Sequence, residues 1–175
     1  MPITINGTGT VTGISAGGLP DGVITTDDIA AGAVTTAKIT GGPAFSAYRS
    51  TTQSASAGTY TKIQLNVKNF DTASAYDSST NYRFTPLVAG YYLITGAVES
   101  VAGAATVIAT LYKNGSEYLR GSRVDAANVA LNSNFSTVVY MNGSTDFLEL
   151  YGFTSATLGF AASWTNMSGC FIRPA

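Results

Sequence analysis

The stretch Tyr91-Tyr-Leu-Ile-Thr-Gly-Ala-Val98 constrains the fold more than any other part of the chain. Read as a strand, it sends Tyr91, Leu93, Thr95 and Ala97 to one face and Tyr92, Ile94, Gly96 and Val98 to the other. Both faces are largely apolar, so this strand needs cover on two sides. In a β-sandwich only one side meets the domain core. The second side needs another cover, and an identical neighbouring chain is the simplest source. An oligomer interface is therefore expected on Phe45, Tyr48, Tyr91, Tyr92 and Leu93.

Composition agrees with an all-β chain. Charged residues make up 11% and hydrophobic residues 45%, with abundant Gly, Ser and Thr. That mixture suits short strands joined by tight turns and fits helices poorly. A length of 175 residues accommodates one sandwich domain and a short extra segment. The net charge of −1 offers no electrostatic footprint for nucleic acid or an anionic membrane, so neither is expected as a partner. The longest apolar run is too short to span a bilayer, and no membrane insertion is expected. Met1-Pro-Ile-Thr-Ile5 lacks the basic start and apolar middle of a secretory signal, which predicts synthesis in the cytoplasm. Cys170, the single cysteine, allows no intrachain disulfide and is expected as a buried, inert thiol in a strand from Met167 to Ile172.

Residues 1–42 contain no aromatic side chain and cannot build a globular core alone. They carry an internal repeat. Gly22/Gly32, Thr25/Thr35, Thr26/Thr36 and Ile29/Ile39 coincide at a period of ten residues. Units of this kind bury their Ile and Val by stacking or winding with copies. A linker with coincidental Thr-Thr pairs, or a single helical turn at 27–32 with an acidic start, are the alternatives. In every case the segment is elongated, carries no chemistry and reads as an attachment stalk. Residues 18–39, Gly-Leu-Pro-Asp-Gly-Val-Ile-Thr-Thr-Asp-Asp-Ile-Ala-Ala-Gly-Ala-Val-Thr-Thr-Ala-Lys-Ile, resemble a segment common in bacteriophage tail and fibre proteins, where it precedes a C-terminal head.

After Gly41-Gly42-Pro43 the composition changes and aromatics appear, which places a domain boundary between 42 and 43. Short strands at turn-punctuated intervals then predict a sandwich or barrel. The expected strands are 44–50, 60–65, 82–85, 91–99, 105–113, 117–124, 134–141, 146–153 and 163–173, with 69–79 as a polar loop. Asn114-Gly115 and Asn142-Gly143 are hairpin turns, because both residues tolerate positive φ.

Over residues 44–173 the chain resembles the globular head of complement component 1q, a relative of the tumour necrosis factor jelly roll. The landmarks are Ala44-Phe-Ser46, Tyr82-Arg-Phe-Thr-Pro-Leu-Val-Ala-Gly-Tyr-Tyr-Leu-Ile94, Leu111-Tyr-Lys-Asn-Gly-Ser116, Asp146-Phe-Leu-Glu-Leu150 and Ser168-Gly-Cys-Phe-Ile172. At Gly143-Ser-Thr-Asp146 the family places Asp directly after Gly, which puts the local turn in question. The resemblance implies a ten-strand jelly roll that assembles as a homotrimer, and a trimer fits the two-sided strand.

The residues offer little for catalysis. Histidine is absent, which removes the commonest general base, the usual zinc ligand and every imidazole triad. Glu149 with Glu117 or Asp146 is the one conceivable glycosidase pair, and an ordinary strand carboxylate is the simpler reading. Asp71, Asp77 and nearby hydroxyls offer a calcium site only weakly; turn capping accounts for them better. No phosphate-binding glycine loop is present. The chain is therefore expected to be no enzyme and to need no cofactor or metal. Trp164 and Tyr118 are the aromatics left open as ligand contacts.

Antiparallel alternation of the strands predicts that the tight Asn-Gly turns lie at the stalk end. Three longer connections, 99–104, 124–134 and 154–162, then gather at the far tip. Loops on a rigid scaffold are where recognition normally resides. The expected receptor-binding residues are Glu99, Ser100, Arg123, Asp125, Asn128, Asn132, Thr154, Ser155 and Thr157. Taken together, the expectation is a bacteriophage tail fibre located on the virion and made in the host cytoplasm. Residues 1–42 would join other tail or baseplate proteins, and the trimeric head would bind a host-cell surface glycan or protein. A purely structural virion spike and a bacterial surface adhesin are the competing readings.

Overall fold

The computed structural model describes residues 41–175; the stalk expected over 1–42, with its repeat and its partners, lies outside the described residues apart from Gly41 and Gly42. The compact unit spans Gly41–Ala175. Its elements are β1 (Ala44–Tyr48), β2 (Gln53–Ala55), β3 (Thr59–Lys62), β4 (Val67–Asp71), β5 (Tyr76–Asp77), β6 (Arg83–Phe84) and β7 (Gly90–Glu99). They continue with β8 (Ala104–Lys113), β9 (Ser116–Val129), β10 (Asn132–Met141), β11 (Leu148–Thr154), β12 (Leu158–Phe160) and β13 (Asn166–Arg173). The described residues are all-β, and none of their elements is a helix able to cross a membrane.

Two sheets pack face to face. The first runs β10-β7-β13-β1-β4 and the second β5-β6-β11-β8-β9, with β3 also paired to β11; β12 and β2 form a separate ribbon. The strand built on Gly90–Glu99 is central to the first sheet, flanked by β10 and β13 in antiparallel register. Its even face is fully buried, with Tyr92, Ile94 and Val98 at 0% exposure. Leu93 and Thr95 on the odd face are open to solvent. The two faces foreseen from the alternation are therefore real, and only one of them is filled by the described residues.

What decides the inward face is packing at Gly96. A Cβ there would lie 2.5 Å from the Phe135 ring and 3.2 Å from Leu150 Cδ1, so only glycine lets β10 and the second sheet close over the strand. Phe45, Phe84, Tyr92, Leu111, Leu148 and Leu150 form the heart of the core. The Phe45 ring stacks on Phe84 at 4.3 Å and on Tyr76 at 5.0 Å, and Phe84 meets Tyr92 edge-on at 5.6 Å. Burial pushes the Tyr92 hydroxyl up to about 12, and that hydroxyl donates to the Val88 carbonyl at 2.8 Å.

These contacts correct the interface expectation. Phe45 and Tyr92 are core residues at 0% exposure and cannot meet another chain. Tyr48, Tyr91 and Leu93 do lie on the outward face. Cys170 is likewise not buried: it pairs across from Leu93 and shares that residue's exposed side.

The nine strands read from the sequence, and the ten that the resemblance implies, become thirteen. Residues 69–79, expected as a loop, contain the end of β4 and all of β5. β9 in the second sheet passes to β10 in the first with only Ala130 and Leu131 between them, so 124–134 is mostly strand rather than loop.

Candidate functional site

Strand register defines two ends. Ala44 faces Cys170, Tyr91 faces Arg173 and Gly90 faces Met141, which gathers the domain's entry and exit at one end, the base. Both Asn-Gly turns are there, but only Asn114-Gly115 closes a hairpin, between the paired β8 and β9; Asn142-Gly143 passes from β10 in the first sheet to β11 in the second. Asn114 Nδ2 donates to Asp146 at 2.8 Å, and the backbone N–H of Asn142 donates to the same carboxylate at 3.0 Å. The turn questioned at 143–146 is closed by Asn142 Oδ1, which accepts from the N–H groups of Ser144, Thr145 and Asp146. Burial pushes the Asp146 carboxyl upward. Hydrogen bonds from Asn114, Lys113 and Asn142 outweigh it and hold the group below the usual carboxylate range.

At the opposite end, the tip, Tyr48 faces Asn166, Glu99 faces Asn132 and Ala104 faces Val129. The nine residues expected to bind a receptor all fall toward this end, yet they do not form one open surface. Ser100 is fully buried, where its hydroxyl accepts from the Leu131 N–H at 3.1 Å. Thr154 is 1% exposed and its hydroxyl donates to the Ala156 carbonyl at 3.2 Å. Those two are structural: each replaces a missing ladder bond where a strand ends.

The remaining seven divide into groups. Arg123 Nε donates to Asp125 at 2.8 Å, Thr106 Oγ1 donates to the same carboxylate at 2.5 Å, and the Thr106 N–H donates to Ser155 Oγ at 2.9 Å. Asn132 Nδ2 donates to Glu99 at 3.4 Å. Thr157 Oγ1 accepts from the Ala57 N–H at 3.4 Å. Asn128 is exposed with φ of 62°, a conformation that asparagine tolerates well. Trp164, 64% exposed, precedes β13 at the same end, whereas Tyr118 is 47% exposed on β9.

The first sheet presents its outer face as an apolar surface. Phe70 and Ile172 are each 50% exposed, Val138 50%, Tyr140 43% and Leu93 37%. A shallow cavity of ≈ 230 Å³ opens there, lined by Ala44, Phe70, Leu93, Thr95 and Cys170. The Tyr91 and Tyr140 rings lie 5.7 Å apart beside it.

Carboxylates considered for acid–base or metal chemistry are committed elsewhere. Glu149, 5% exposed, accepts from Lys62 Nζ at 2.5 Å, and Glu117 accepts from Arg120. The Asp77 carboxylate caps the backbone N–H groups of Ser79, Thr80 and Asn81, and those bonds hold it well below its usual range. Asp71 accepts from Ala75, Tyr76 and Lys68.

One feature was not foreseen. On the solvent face of the second sheet, Tyr112 stacks on Tyr151 at 3.8 Å and Tyr60 packs on Phe153 at 5.3 Å, with the Arg120 guanidinium 5.3 Å from the Tyr60 ring. Burial, then Glu117, raises the Tyr112 hydroxyl; burial, then Glu149, raises that of Tyr151. The alternation Glu149-Leu-Tyr151-Gly-Phe153 hinted at this row, but the cluster needs the register of four strands.

No family model and no curated protein matches the chain. Solved structures do. The globular domain of zebrafish complement 1qA protein matches at 20% identity and TM-score 0.58, over 76% of this chain and 99% of that one. Eiger TNF from S. frugiperda matches at 10% identity and TM-score 0.62, over 77% and 95%. Murine APRIL at pH 5.0 matches at 10% identity and TM-score 0.58, over 75% and 99%. The described domain thus has the jelly-roll fold of the complement 1q and tumour necrosis factor heads. At these identities the likeness is one of fold.

Proposed function

We propose that this chain is a bacteriophage tail fibre protein whose jelly-roll head forms a homotrimer and binds a host-cell surface glycan or protein during adsorption. Residues 1–42 join the head to other tail or baseplate proteins. The observation that carries the reading is the outer face of the first sheet, where Phe70, Leu93, Val138, Tyr140 and Ile172 are all exposed and a cavity opens between Phe70 and Leu93. A contiguous apolar surface of this kind marks an interaction site rather than ordinary surface. A second and third copy of the chain supply the cover, as the family resemblance implies. The phage-like segment 18–39 supports the virion assignment, and three copies of a weak site would attach firmly through avidity.

The competing reading is a structural spike without a ligand. Its support is the tip itself, where Ser100 and Thr154 are buried and Asp125 is already paired.

Two measurements separate the readings. Light scattering on the purified chain should give three times the chain mass. Labelled trimer should bind susceptible cells saturably and block phage adsorption. A trimer that binds no susceptible cell leaves the spike, and a monomer at micromolar concentration removes the assembly.

A further inference from the structure

We propose that the solvent face of the second sheet is a binding platform for a neutral polysaccharide of the host surface. The inference deepens the receptor-binding reading and rests on it for the source of the sugar, but it moves the contact from the tip loops to the flank of the head.

Register assembles the platform. Tyr60 faces Phe153 and Lys62 faces Tyr151 across β3 and β11; Glu149 faces Tyr112 and Tyr151 faces Thr110 across β11 and β8. Arg120 faces Thr110 from β9. The rings of Tyr60, Tyr112, Tyr151 and Phe153 are half-buried and stand apart from the buried core. Such rings give rigid, amphipathic contact area at little entropic cost, and their electron-rich faces suit the C–H face of a pyranose.

Hydrogen-bonding groups frame the rings. Arg120 grips Glu117 through Nε and Nη2, at 3.2 and 2.9 Å, and Lys62 grips Glu149. Two cations and two carboxylates cancel, so the face offers directed donors and acceptors without net charge. Complementarity of charge then favours an uncharged polyhydroxyl ligand over an anionic one.

Thr110 supplies a separate pointer. It lies on this face at 0% exposure, and its Oγ1 is a buried side-chain oxygen without a hydrogen-bond partner among the described residues. Buried hydroxyls are nearly always satisfied, so an orphan beneath a polar surface points to a partner that enters from outside. A buried water beside Arg120, which in turn hydrogen-bonds a sugar hydroxyl at the surface, supplies one. This face also lies on the opposite side of the sandwich from the apolar first-sheet surface, and it stays open when that surface is covered.

The test immobilises dextran, mannan and galactan as neutral probes and alginate as a polyanionic one, and measures binding of the purified full chain. At least one neutral polymer should bind, and Arg120→Ala and Tyr60→Ala should each weaken it about tenfold or more, as central Arg and Tyr contacts do. Tyr60→Phe should retain binding. Arg120 is an exposed side chain, so Arg120→Ala is not expected to disturb folding. Binding to no neutral polymer, preference for alginate, or binding that survives both alanine substitutions overturns the platform. If wild type binds host cells and both variants bind equally well, the platform falls and the receptor reading stands. If wild type binds a neutral polymer through Tyr60 and Arg120 but no host cell, the platform stands and the receptor reading falls.

Discussion

The outer faces of the two sheets are built in opposite ways from similar material. The first sheet exposes Phe70, Leu93, Val138 and Ile172, with a cavity between Phe70 and Leu93 that the free Cys170 thiol also lines. The second sheet also carries large rings outward, yet they stack on one another and are rimmed by the Lys62–Glu149 and Arg120–Glu117 pairs. Apolar side chains left separated, around a gap, await another surface to fill it. Rings packed together with charged groups at their borders are finished and can stay wet. The two faces therefore differ in finish: one leaves apolar side chains uncovered, and the other closes its rings with ion pairs.

The comparison breaks most sharply at Leu93. Placing a carboxylate there by Leu93→Asp should abolish assembly, since an unpaired charge in a buried contact costs about 3–5 kcal/mol. Light scattering should find a monomer whose far-ultraviolet circular dichroism is unchanged; a persistent trimer would mean that this face is not the interface. The inner and outer aromatics of the first sheet give the next contrast. Phe45 is at 0% exposure and Phe70 at 50%. Phe45→Ala should cost about 3–5 kcal/mol in urea unfolding, the usual penalty for emptying a buried aromatic site. Phe70→Ala should leave the monomer's stability nearly unaltered and instead shift the trimer toward dissociation on dilution.

These contrasts also show what the sequence could and could not disclose. Alternation from Tyr91 to Val98 revealed a strand with two apolar faces, and the Asn-Gly pairs marked both base turns. It could not say which face turned inward, because Tyr91 and Tyr92 are chemically alike. Gly96 settles that only once Phe135 and Leu150 are in place beside it. Ser100 and Thr154 looked like loop hydroxyls, and both prove to be buried caps at strand ends. The run Asp125-Ala-Ala-Asn128 fell in the connection expected over 124–134. It is strand because β9 continues past its bulges against β8, with register shifts that erase a strict period of two. β2 and β12, three residues each, are too short to leave a pattern. The ring cluster on the second sheet depends on pairing among β3, β8, β9 and β11, which adjacency in sequence does not encode.

A smaller effect tests the base that both sheets share. Asp146→Asn keeps the shape but removes the charge that Lys113 and Asn114 address. The loss should be about 1–3 kcal/mol, as for other buried hydrogen-bonded groups left with a poorer partner. Its pH dependence has a definite sign. The folded-state pKa of Asp146 lies below the unfolded value, so its stabilisation is complete above the unfolded carboxylate range near ~3.9 and fades as pH falls through the lower folded value. Urea midpoints of wild type and Asp146→Asn should differ by a constant amount at pH 7 and pH 5 and converge toward pH 3. A gap that widens on acidification would reverse the assignment.

The smallest expected effect is at Arg123, 67% exposed and paired with Asp125 on the surface. Exposed ion pairs contribute little to stability, so Arg123→Ala should leave the melting midpoint and the trimer mass where they are in wild type. That neutrality makes it a clean probe of where recognition sits. If Arg123→Ala binds host cells as wild type does while Arg120→Ala does not, contact lies on the flank of the second sheet. If the pattern is reversed, the tip carries the ligand and the stacked rings of the second sheet serve the fold alone.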